Sequence, residues 1–278
     1  MKIAVMSDIH GNYIALQRCL AHALEQNVDA YIFLGDYLGE FPYPQRTLEI
    51  LYELKQNTSC IFIRGNKEDY WLNRRKDQNC DWKSGNRSVM AMIYNYNSLN
   101  AKDLDFFETL PISQSIRFVG MEPVLACHGT PFENQKALLS EDLFVQKCEE
   151  RYIICGHTHM QGFVSDGKKK IINAGAVGVP LKSPKKTQYM ILTSDGKDWK
   201  PEFLSLEYDV DTVIKEIHES GLWDASPYWC RITEHLLDTG ELPHGTVLNH
   251  VMKLNDYQDP WYNICLLYTS DAADDSLR

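Results

Sequence analysis

Polar side chains with metal-binding chemistry follow a series of short apolar runs, at the points where those runs end. Asp8 and His10 come after the run at 3–6, and Asp36 follows the run at 31–34. The complete set is Asp8, His10, Asp36, Asn66, His128, His157 and His159. If the runs are strands of open α/β sheets, their carboxyl ends are where such sheets bind ligands, so these side chains are expected to share one crevice.

The donor types indicate which ion such a crevice would bind. Two aspartates, one asparagine and four histidines offer oxygen and imidazole donors without a thiolate. This mixture suits transition ions such as Mn, Fe, Co, Ni or Zn better than calcium. A histidine after a strand is, taken singly, more often a core residue than a ligand. All these candidate ligands occur after predicted strands, and this joint pattern favours a metal site over isolated core histidines.

The number of donors predicts two ions rather than one. Seven donors are too many for one four-coordinate zinc. They suit two ions about 3.5–4 Å apart that share one carboxylate, the arrangement of two-metal phosphoester hydrolysis. Asp36 is the natural shared carboxylate. In such a centre, a metal-bridging water with its pKa lowered to about 7 would attack phosphorus as hydroxide.

The elements that must position these residues alternate in type, which predicts an α/β fold. An amphipathic helix is expected over Tyr13–Glu25 and another over 46–55. Strands are expected at 2–7, 31–34, 60–63, 151–155, 170–173 and 188–193, and a hairpin at 115–119 and 123–127 around Gly120.

The C-terminal third has a different character. From Asp209 onward the pattern is helical, with breaks at Gly221 and Gly240. Aromatic residues in this part, among them Trp223 and Trp229, would either cover the crevice or form a dimer contact. We expect a main domain at 1–207 and a helical extension packed on it at 208–264. Residues 265–278 resemble translated sequencing-adapter read-through and are expected to be a non-native tail.

Composition and charge exclude several classes of protein. The 278 residues are 44% hydrophobic and carry a net charge of −10, so the chain is not expected to bind nucleic acid stably or to associate with membranes. No apolar run approaches the roughly 18 residues of a membrane span. Eight cysteines without Cys-x-x-Cys spacing are typical of a reducing compartment, which predicts a cytoplasmic protein. A homo-oligomeric assembly is left open.

The motifs Ser-Asp-Ile-His-Gly-Asn at 7–12, Gly-Asp-Tyr at 35–37, Gly-Asn-Lys-Glu at 65–68 and Cys-Gly-His-Thr-His at 155–159 resemble those of the calcineurin-like metallophosphoesterases. The single-domain length resembles the bacterial phosphodiesterase branch of that superfamily, and the resemblance spans about residues 1–207. It implies a four-layer α-β-β-α sandwich with a dinuclear metal centre. It further implies two ligand sets that share Asp36: Asp8, His10, Asp36 and His159 for one ion, and Asp36, Asn66, His128 and His157 for the other.

One residue departs from the family pattern. Lys67 stands where these enzymes usually carry a histidine that serves the leaving group. A lysine, with a reference pKa of about 10.4, is a poor proton donor at neutral pH unless it is desolvated. Lys67 is predicted to contribute to catalysis by stabilising phosphate charge, with a solvated loop lysine as the alternative. The loss of the histidine favours phosphodiesters or dinucleoside polyphosphates over monoesters.

Two further residues are predicted to contact a small phosphoester or nucleotide substrate. Asn12 lies in the loop before the first helix, where backbone N–H groups favour phosphate. Arg75 has the fork geometry for phosphate and would lie one helical turn from Trp71. A core tryptophan and a solvated arginine face are the alternative.

The prediction is therefore a metal-dependent phosphoester hydrolase that binds two divalent or trivalent transition ions, with manganese preferred. Two alternatives stay open. One is a phosphomonoesterase or protein phosphatase of the same superfamily, and the other is a non-catalytic scaffold with the same fold. A nuclease acting on polymeric DNA or RNA would share the chemistry, but the acidic charge argues against it.

Overall fold

A computed structural model of the chain describes residues 1–77, 90–138 and 146–254. The tail predicted at 265–278 and the last ten residues of the predicted extension, 255–264, lie outside the described residues.

The strands in the described ranges follow the predicted α/β alternation. They are β1 (Lys2–Met6), β2 (Ala30–Phe33), β3 (Cys60–Phe62), β4 (Ser113–Ile116), β5 (Val124–Cys127), β6 (Tyr152–Cys155), β7 (Gln161–Ser165), β8 (Lys170–Ala174), β9 (Lys186–Ser194) and β10 (Trp199–Glu207). The helices are α1 (Tyr13–Glu25), α2 (Pro44–Asn57), α3 (Asn66–Lys76), α4 (Met90–Asn97), α5 (Ala101–Thr109), α6 (Val210–Glu219), α7 (Leu222–Ala225), α8 (Pro227–Thr239) and α9 (His244–Leu254).

The strands form two mixed sheets, ordered β10-β9-β1-β2-β3 and β4-β5-β6-β8-β7. In the first sheet β1, β2 and β3 are parallel, and in the second β5, β6 and β8 are parallel. The remaining strands β4, β7, β9 and β10 form antiparallel pairs. Each sheet therefore presents the carboxyl ends of three parallel strands at one edge, as the placement of polar residues after the apolar runs requires.

Strand β1 shows how the layers are packed, because its alternate residues face two different cores. Ile3 and Val5 pack between the two sheets, in the same cluster as Ile154 of β6. Ala4 and Met6 face the other way, into the cluster that the first sheet shares with α1 and α2. Two sheets flanked by helices confirm the predicted α/β sandwich.

Two strands were not expected from the sequence, and one was misplaced. The edge strands β7 and β10 alternate or expose much of their length, so neither shows the apolar run of a buried strand. The predicted hairpin is present, but β4 covers 113–116 rather than 115–119. Ser113 pairs with Cys127 and Ile116 with Val124, which leaves Gly120 in a longer connection than a tight turn.

The helical pattern predicted after Asp209 is confirmed by α6 to α9. Helices α6, α7 and α8 share a hydrophobic cluster with earlier parts of the chain. Val213 and Ile217 of α6 pack in one cluster with Phe41 and Val179. Gly240 ends α8 in the left-handed conformation, with φ of 72°, as a C-terminal glycine does. No helix in the ranges 1–77, 90–138 and 146–254 combines the length and apolarity needed to cross a membrane. The domain boundary at 207/208 stays a prediction.

Candidate metal centre

The loops that leave the parallel strands bring all seven predicted ligands to one place. Asp8 and His10 follow β1, Asp36 follows β2, and Asn66 is the first residue of α3 after β3. The second sheet contributes the rest: His128 after β5, and His157 and His159 after β6. Residues from both sheets therefore meet at the shared carboxyl edge of the parallel strands.

The donors form two groups on either side of Asp36. His10 Nε2 lies 3.7 Å from Asp36 Oδ2 and 3.7 Å from Asp8 Oδ1. His159 Nε2 lies 3.3 Å from that same Asp8 oxygen. On the other side, His128 Nε2 lies 3.5 Å from Asp36 Oδ1. Each Asp36 oxygen therefore faces a different group.

The second group is completed by the amide oxygen of Asn66. This oxygen lies 3.1 Å from His128 Nε2 and 3.0 Å from His157 Nδ1. A carboxylate oxygen, an amide oxygen and two imidazole nitrogens are thus linked by contacts of 3.0, 3.1 and 3.5 Å. These donor types match the second ligand set that the family resemblance implies.

Two buried atoms of the first group show that the site fits a cation. Asp8 Oδ1 and His10 Nε2 are both buried, and neither has a hydrogen-bond partner. Buried polar atoms are normally satisfied, and an unsatisfied one costs about 1–3 kcal/mol. A metal ion held between them would satisfy both atoms.

The backbone at the donors is held in an uncommon conformation. Asp8, His10, Asp36, His157 and His159 have φ of 54°, 55°, 54°, 68° and 58°. These values lie in the left-handed region, which costs non-glycine residues free energy and clusters at functional sites. Such turns let the chain leave each strand sharply while the side chain stays aimed at the crevice.

Glycines next to the donors allow the loops to approach one another closely. A Cβ atom on Gly65 would lie 2.3 Å from Asp36 Oδ1. A Cβ atom on Gly156 would lie 1.9 Å from Ser7 Oγ and 2.6 Å from Asp8 Oδ2. Both distances are far below van der Waals contact, so only glycine fits without moving a donor.

Glu68 fixes the Asp36 loop, a role that the sequence analysis did not assign. Its Oε2 accepts hydrogen bonds from the N–H groups of Gly65 (2.8 Å) and Asp36 (2.9 Å), and its Oε1 accepts one from Tyr37 (2.9 Å). Burial and the charge of Asp36 raise the pKa of Glu68 to about 7, against the opposing effect of these N–H donors. The available signal was its place at the third position of α3, where a glutamate typically caps a helix.

Glu40 is a second residue that the sequence analysis did not assign to the centre. It is buried, and Oε2 contacts His10 Nδ1 while Oε1 accepts a 2.8 Å hydrogen bond from Lys67 Nζ. The first contact orients the His10 ring so that Nε2 faces Asp8 and Asp36, as carboxylates do for metal-binding histidines. Burial opposes ionisation of Glu40, but His10 and Lys67 outweigh it and hold the pKa of Glu40 well below its usual value.

Lys67 is not the solvated loop lysine of the alternative interpretation. Its side chain is 14% exposed and forms an ion pair with Glu40 at the edge of the crevice. Burial lowers the pKa of Lys67, but the charges of Glu40 and Asp36 outweigh burial and raise it above its ordinary value. The ammonium group is therefore a fixed positive charge beside the donors.

The donors open into a cavity of about 670 Å³ that the C-terminal helices help to enclose. One wall carries His10, Asp36, Asn66, His157 and His159 together with Glu40 and Lys67. Other side chains that line it are Met92, Val179, Leu181, Trp229, Leu236, Pro243, His244 and Leu248. Of the two interpretations of the helical extension, the structure favours a cover over the crevice.

Asn12 and Arg75 are not brought into this cavity. Asn12 is buried and caps α1, accepting a 3.1 Å hydrogen bond from the N–H of Ala15. Arg75 pairs with Asp105 at 2.8 Å and with a second carboxylate of α5. Trp71 is a fully buried core residue. These positions do not support substrate contact by Asn12 or Arg75, because other groups already use their polar atoms.

Comparison with known proteins places the chain in a family. Residues 1–197 match the family model of the calcineurin-like phosphoesterase superfamily domain. The protein MJ0912 of Methanocaldococcus jannaschii is 27% identical over 247 residues, which cover 82% of this chain and 94% of that protein.

Two crystal structures share the fold. Protein PH1004 from Pyrococcus horikoshii OT3 aligns with a TM-score of 0.71 and 18% identity, over 87% of this chain and 99% of its own. A metallophosphoesterase from Sphaerobacter thermophilus aligns with a TM-score of 0.65 and 22% identity, over 84% of this chain and 100% of its own.

Because the family model covers most of its length, the chain belongs to the calcineurin-like phosphoesterase superfamily. It is a metallophosphoesterase, an enzyme of the hydrolase class whose family uses divalent metal ions.

Proposed function

We propose that the chain hydrolyses phosphoesters at a centre of two transition-metal ions, with Asp36 shared between them. The observation that carries this proposal is the orientation of the Asp36 carboxylate, whose oxygens lie 3.7 Å from His10 Nε2 and 3.5 Å from His128 Nε2. Two bound ions would supply Lewis-acid stabilisation of the phosphoryl oxygens and would activate water at neutral pH.

The chain's own residues divide into those that hold the ions and those that hold the ligands in place. Asp8, His10, Asp36 and His159 would hold one ion, and Asp36, Asn66, His128 and His157 the other. Glu40 orients His10, and Glu68 fixes the loop of Asp36. Oxygen and imidazole donors without thiolate suit manganese, iron, cobalt, nickel and zinc. We propose manganese as the first ion for the assay.

The environment of Lys67 supports a preference for diesters and pyrophosphate-linked nucleotides. Its ammonium is held by Glu40, and its raised pKa keeps it protonated at neutral pH. A group in this state stabilises phosphate charge but does not readily give up a proton to a leaving group. Phosphomonoesters of poor leaving groups depend most on such a donor, so we expect them to be slower substrates.

The net charge and the cysteines bear on the substrate class and on the cellular compartment. With a net charge of −10, we propose a small phosphoester or nucleotide as substrate rather than a nucleic-acid polymer. Free thiols are present at Cys19, Cys60, Cys127, Cys155 and Cys230, which is consistent with a reducing compartment such as the cytoplasm.

The test is an assay of the manganese-loaded protein, without residues 265–278, against three substrates. These are bis-p-nitrophenyl phosphate, p-nitrophenyl phosphate and a dinucleoside tetraphosphate. We expect kcat/KM to be higher for the diester or the dinucleotide than for the monoester. Faster hydrolysis of the monoester would contradict the interpretation of Lys67. Failure to hydrolyse any of the three with metal bound would favour the scaffold.

Matched variants connect the activity to the proposed centre. Asp36→Asn removes a charge from the shared ligand and is expected to abolish activity. Asp105→Asn makes the same change on the surface of α5, where Asp105 pairs with Arg75, and is expected to keep wild-type activity. Near-wild-type turnover by Asp36→Asn would contradict the proposal.

A further inference from the structure

The cavity beside the donors is larger than a phosphate group requires. Its volume of about 670 Å³ falls within the roughly 300–1,000 Å³ of sites for whole small molecules. The donors, Glu40 and Lys67 account for one wall, where the phosphate would lie if the proposed function holds. The remaining space must therefore take the organic part of the substrate.

The part of the cavity lining that the C-terminal helices supply is largely apolar and carries two aromatic rings. Leu236 of α8 and Leu248 of α9 line it, together with Trp229 and His244. The rings of Trp229 and His244 pack with their centroids 4.3 Å apart and their planes 31° from parallel. Such a surface favours a flat, apolar group.

His244 adds one polar atom to this apolar wall. Its Nε2 lies 2.9 Å from Thr233 Oγ1 and 3.3 Å from the carbonyl oxygen of Trp229, and the Thr233 hydroxyl donates to that same carbonyl at 3.0 Å. Both neighbours therefore act as acceptors, which places the ring proton on Nε2. Nδ1 is then the acceptor of the ring.

The charge state of His244 agrees with this assignment. Burial lowers the pKa of His244 to about 4; Glu40 acts in the opposite direction, and Lys67 and His10 reinforce the lowering. The imidazole of this buried residue is therefore neutral at pH 7, and Nδ1 is its acceptor nitrogen.

We propose that Trp229 and His244 form a binding subsite for the nucleobase of a nucleoside phosphoester, which deepens the proposed function and rests on it. A nucleobase offers both features that the wall selects, a flat aromatic ring and an N–H donor. An alkyl or acyl chain would pack on the leucines but would offer no N–H group to the acceptor nitrogen of His244.

The test compares phosphodiesters that share the p-nitrophenolate leaving group and differ in the other substituent. The substituents are thymidine (as the 5′-ester), methyl and hexyl. Stacking of a base on an aromatic side chain is worth about 1–3 kcal/mol, so we expect kcat/KM for the thymidine ester to exceed that for the methyl ester at least about fivefold. Equal values for the two, or a higher value for the hexyl ester, would overturn the subsite.

Variants assign this preference to the two residues. His244→Ala and Trp229→Leu are expected to reduce the thymidine-to-methyl ratio at least fivefold, whereas Trp229→Phe keeps an aromatic ring and most of the ratio. The control is His218→Ala. His218 packs on Trp223 in a similar pair, with centroids 4.0 Å apart, but does not line the cavity, so its loss should leave the ratio unchanged. Equal ratios in wild type and His244→Ala would overturn the proposal.

A binding measurement separates failure of the subsite from failure of the proposed function. Calorimetry of the manganese-loaded protein would compare adenosine 5′-monophosphate with ribose 5-phosphate, which differ only in the base. At least tenfold tighter binding of the nucleotide supports the subsite even if no diester is hydrolysed, in which case only the proposed hydrolysis fails. Equal affinities would overturn the subsite even if hydrolysis is observed.

Discussion

Glu68→Gln tests the idea that a buried carboxylate holds the Asp36 loop in position. The two Glu68 oxygens accept three backbone N–H groups, two at Oε2 and one at Oε1. A glutamine can place its amide oxygen where Oε2 lies and so accept the N–H groups of Gly65 and Asp36. Its NH₂ group must then face the N–H of Tyr37. The buried N–H of Tyr37 then has no acceptor on this side chain.

The magnitude follows from these contacts. One unsatisfied buried donor costs about 1–3 kcal/mol, and loss of the charge weakens the other two hydrogen bonds by about 0.5 kcal/mol each. We therefore expect Glu68→Gln to lower the free energy of unfolding by about 3 kcal/mol. For a chain of this size that corresponds to a fall in Tm of about 6–12 °C.

The assay is urea unfolding of the metal-free protein at pH 8, where Glu68, with a pKa of about 7, is mostly ionised. Metal-free conditions remove the contribution of ion binding to stability. Glu53→Gln is the control, since Glu53 lies on the exposed face of α2, and is expected to stay within about 0.5 kcal/mol of wild type. A loss below about 1 kcal/mol in Glu68→Gln would refute the proposed clamp.

Three further changes test other parts of the structure. Arg75→Ala is expected to change kcat/KM less than twofold in the diester assay, because its guanidinium pairs with carboxylates of α5; a tenfold loss would restore it as a substrate contact. Gly156→Ala should reduce metal binding measured by calorimetry, because the added Cβ would meet Ser7 Oγ at 1.9 Å; unchanged affinity would show that the loop adapts. The pKa of His244 is about 4 in the folded protein and about 6.5 in the unfolded chain. Its contribution to the free energy of unfolding is therefore complete above pH 6.5. It is lost by about 1.4 kcal/mol per pH unit as the pH falls toward 4. Urea unfolding between pH 7 and pH 4 should show this slope in wild type and a shallower one in His244→Gln; parallel profiles would contradict it.

The convergence of the seven donors could be predicted because it depends on local pattern and one general rule. Apolar runs mark the strands, and residues such as Asp8 and His128 come immediately after them. Parallel strands align their carboxyl ends, so the meeting of chain-distant metal donors can be predicted without knowledge of the loop conformations. The same logic predicted the α/β class, which the two mixed sheets confirm.

The supporting residues could not be predicted because their roles depend on contacts between distant parts of the chain. Glu40 contacts His10 across 30 positions, and no periodic pattern marks that pair. The helices that cover the cavity are amphipathic, but amphipathicity does not say which surface they cover. Arg75 illustrates the opposite case: its residue type suits phosphate, but its helix face turns toward acidic residues of α5.

The most direct test of the two-ion centre is the metal content of the protein after loading with manganese and removal of free ion, measured by plasma mass spectrometry. We expect about two manganese ions per chain in the wild type and at most one in Asp36→Asn, because this residue offers one oxygen to each donor group. Asp105→Asn should keep two. One ion or none in the wild type, or two in Asp36→Asn, would contradict a shared carboxylate between two metals.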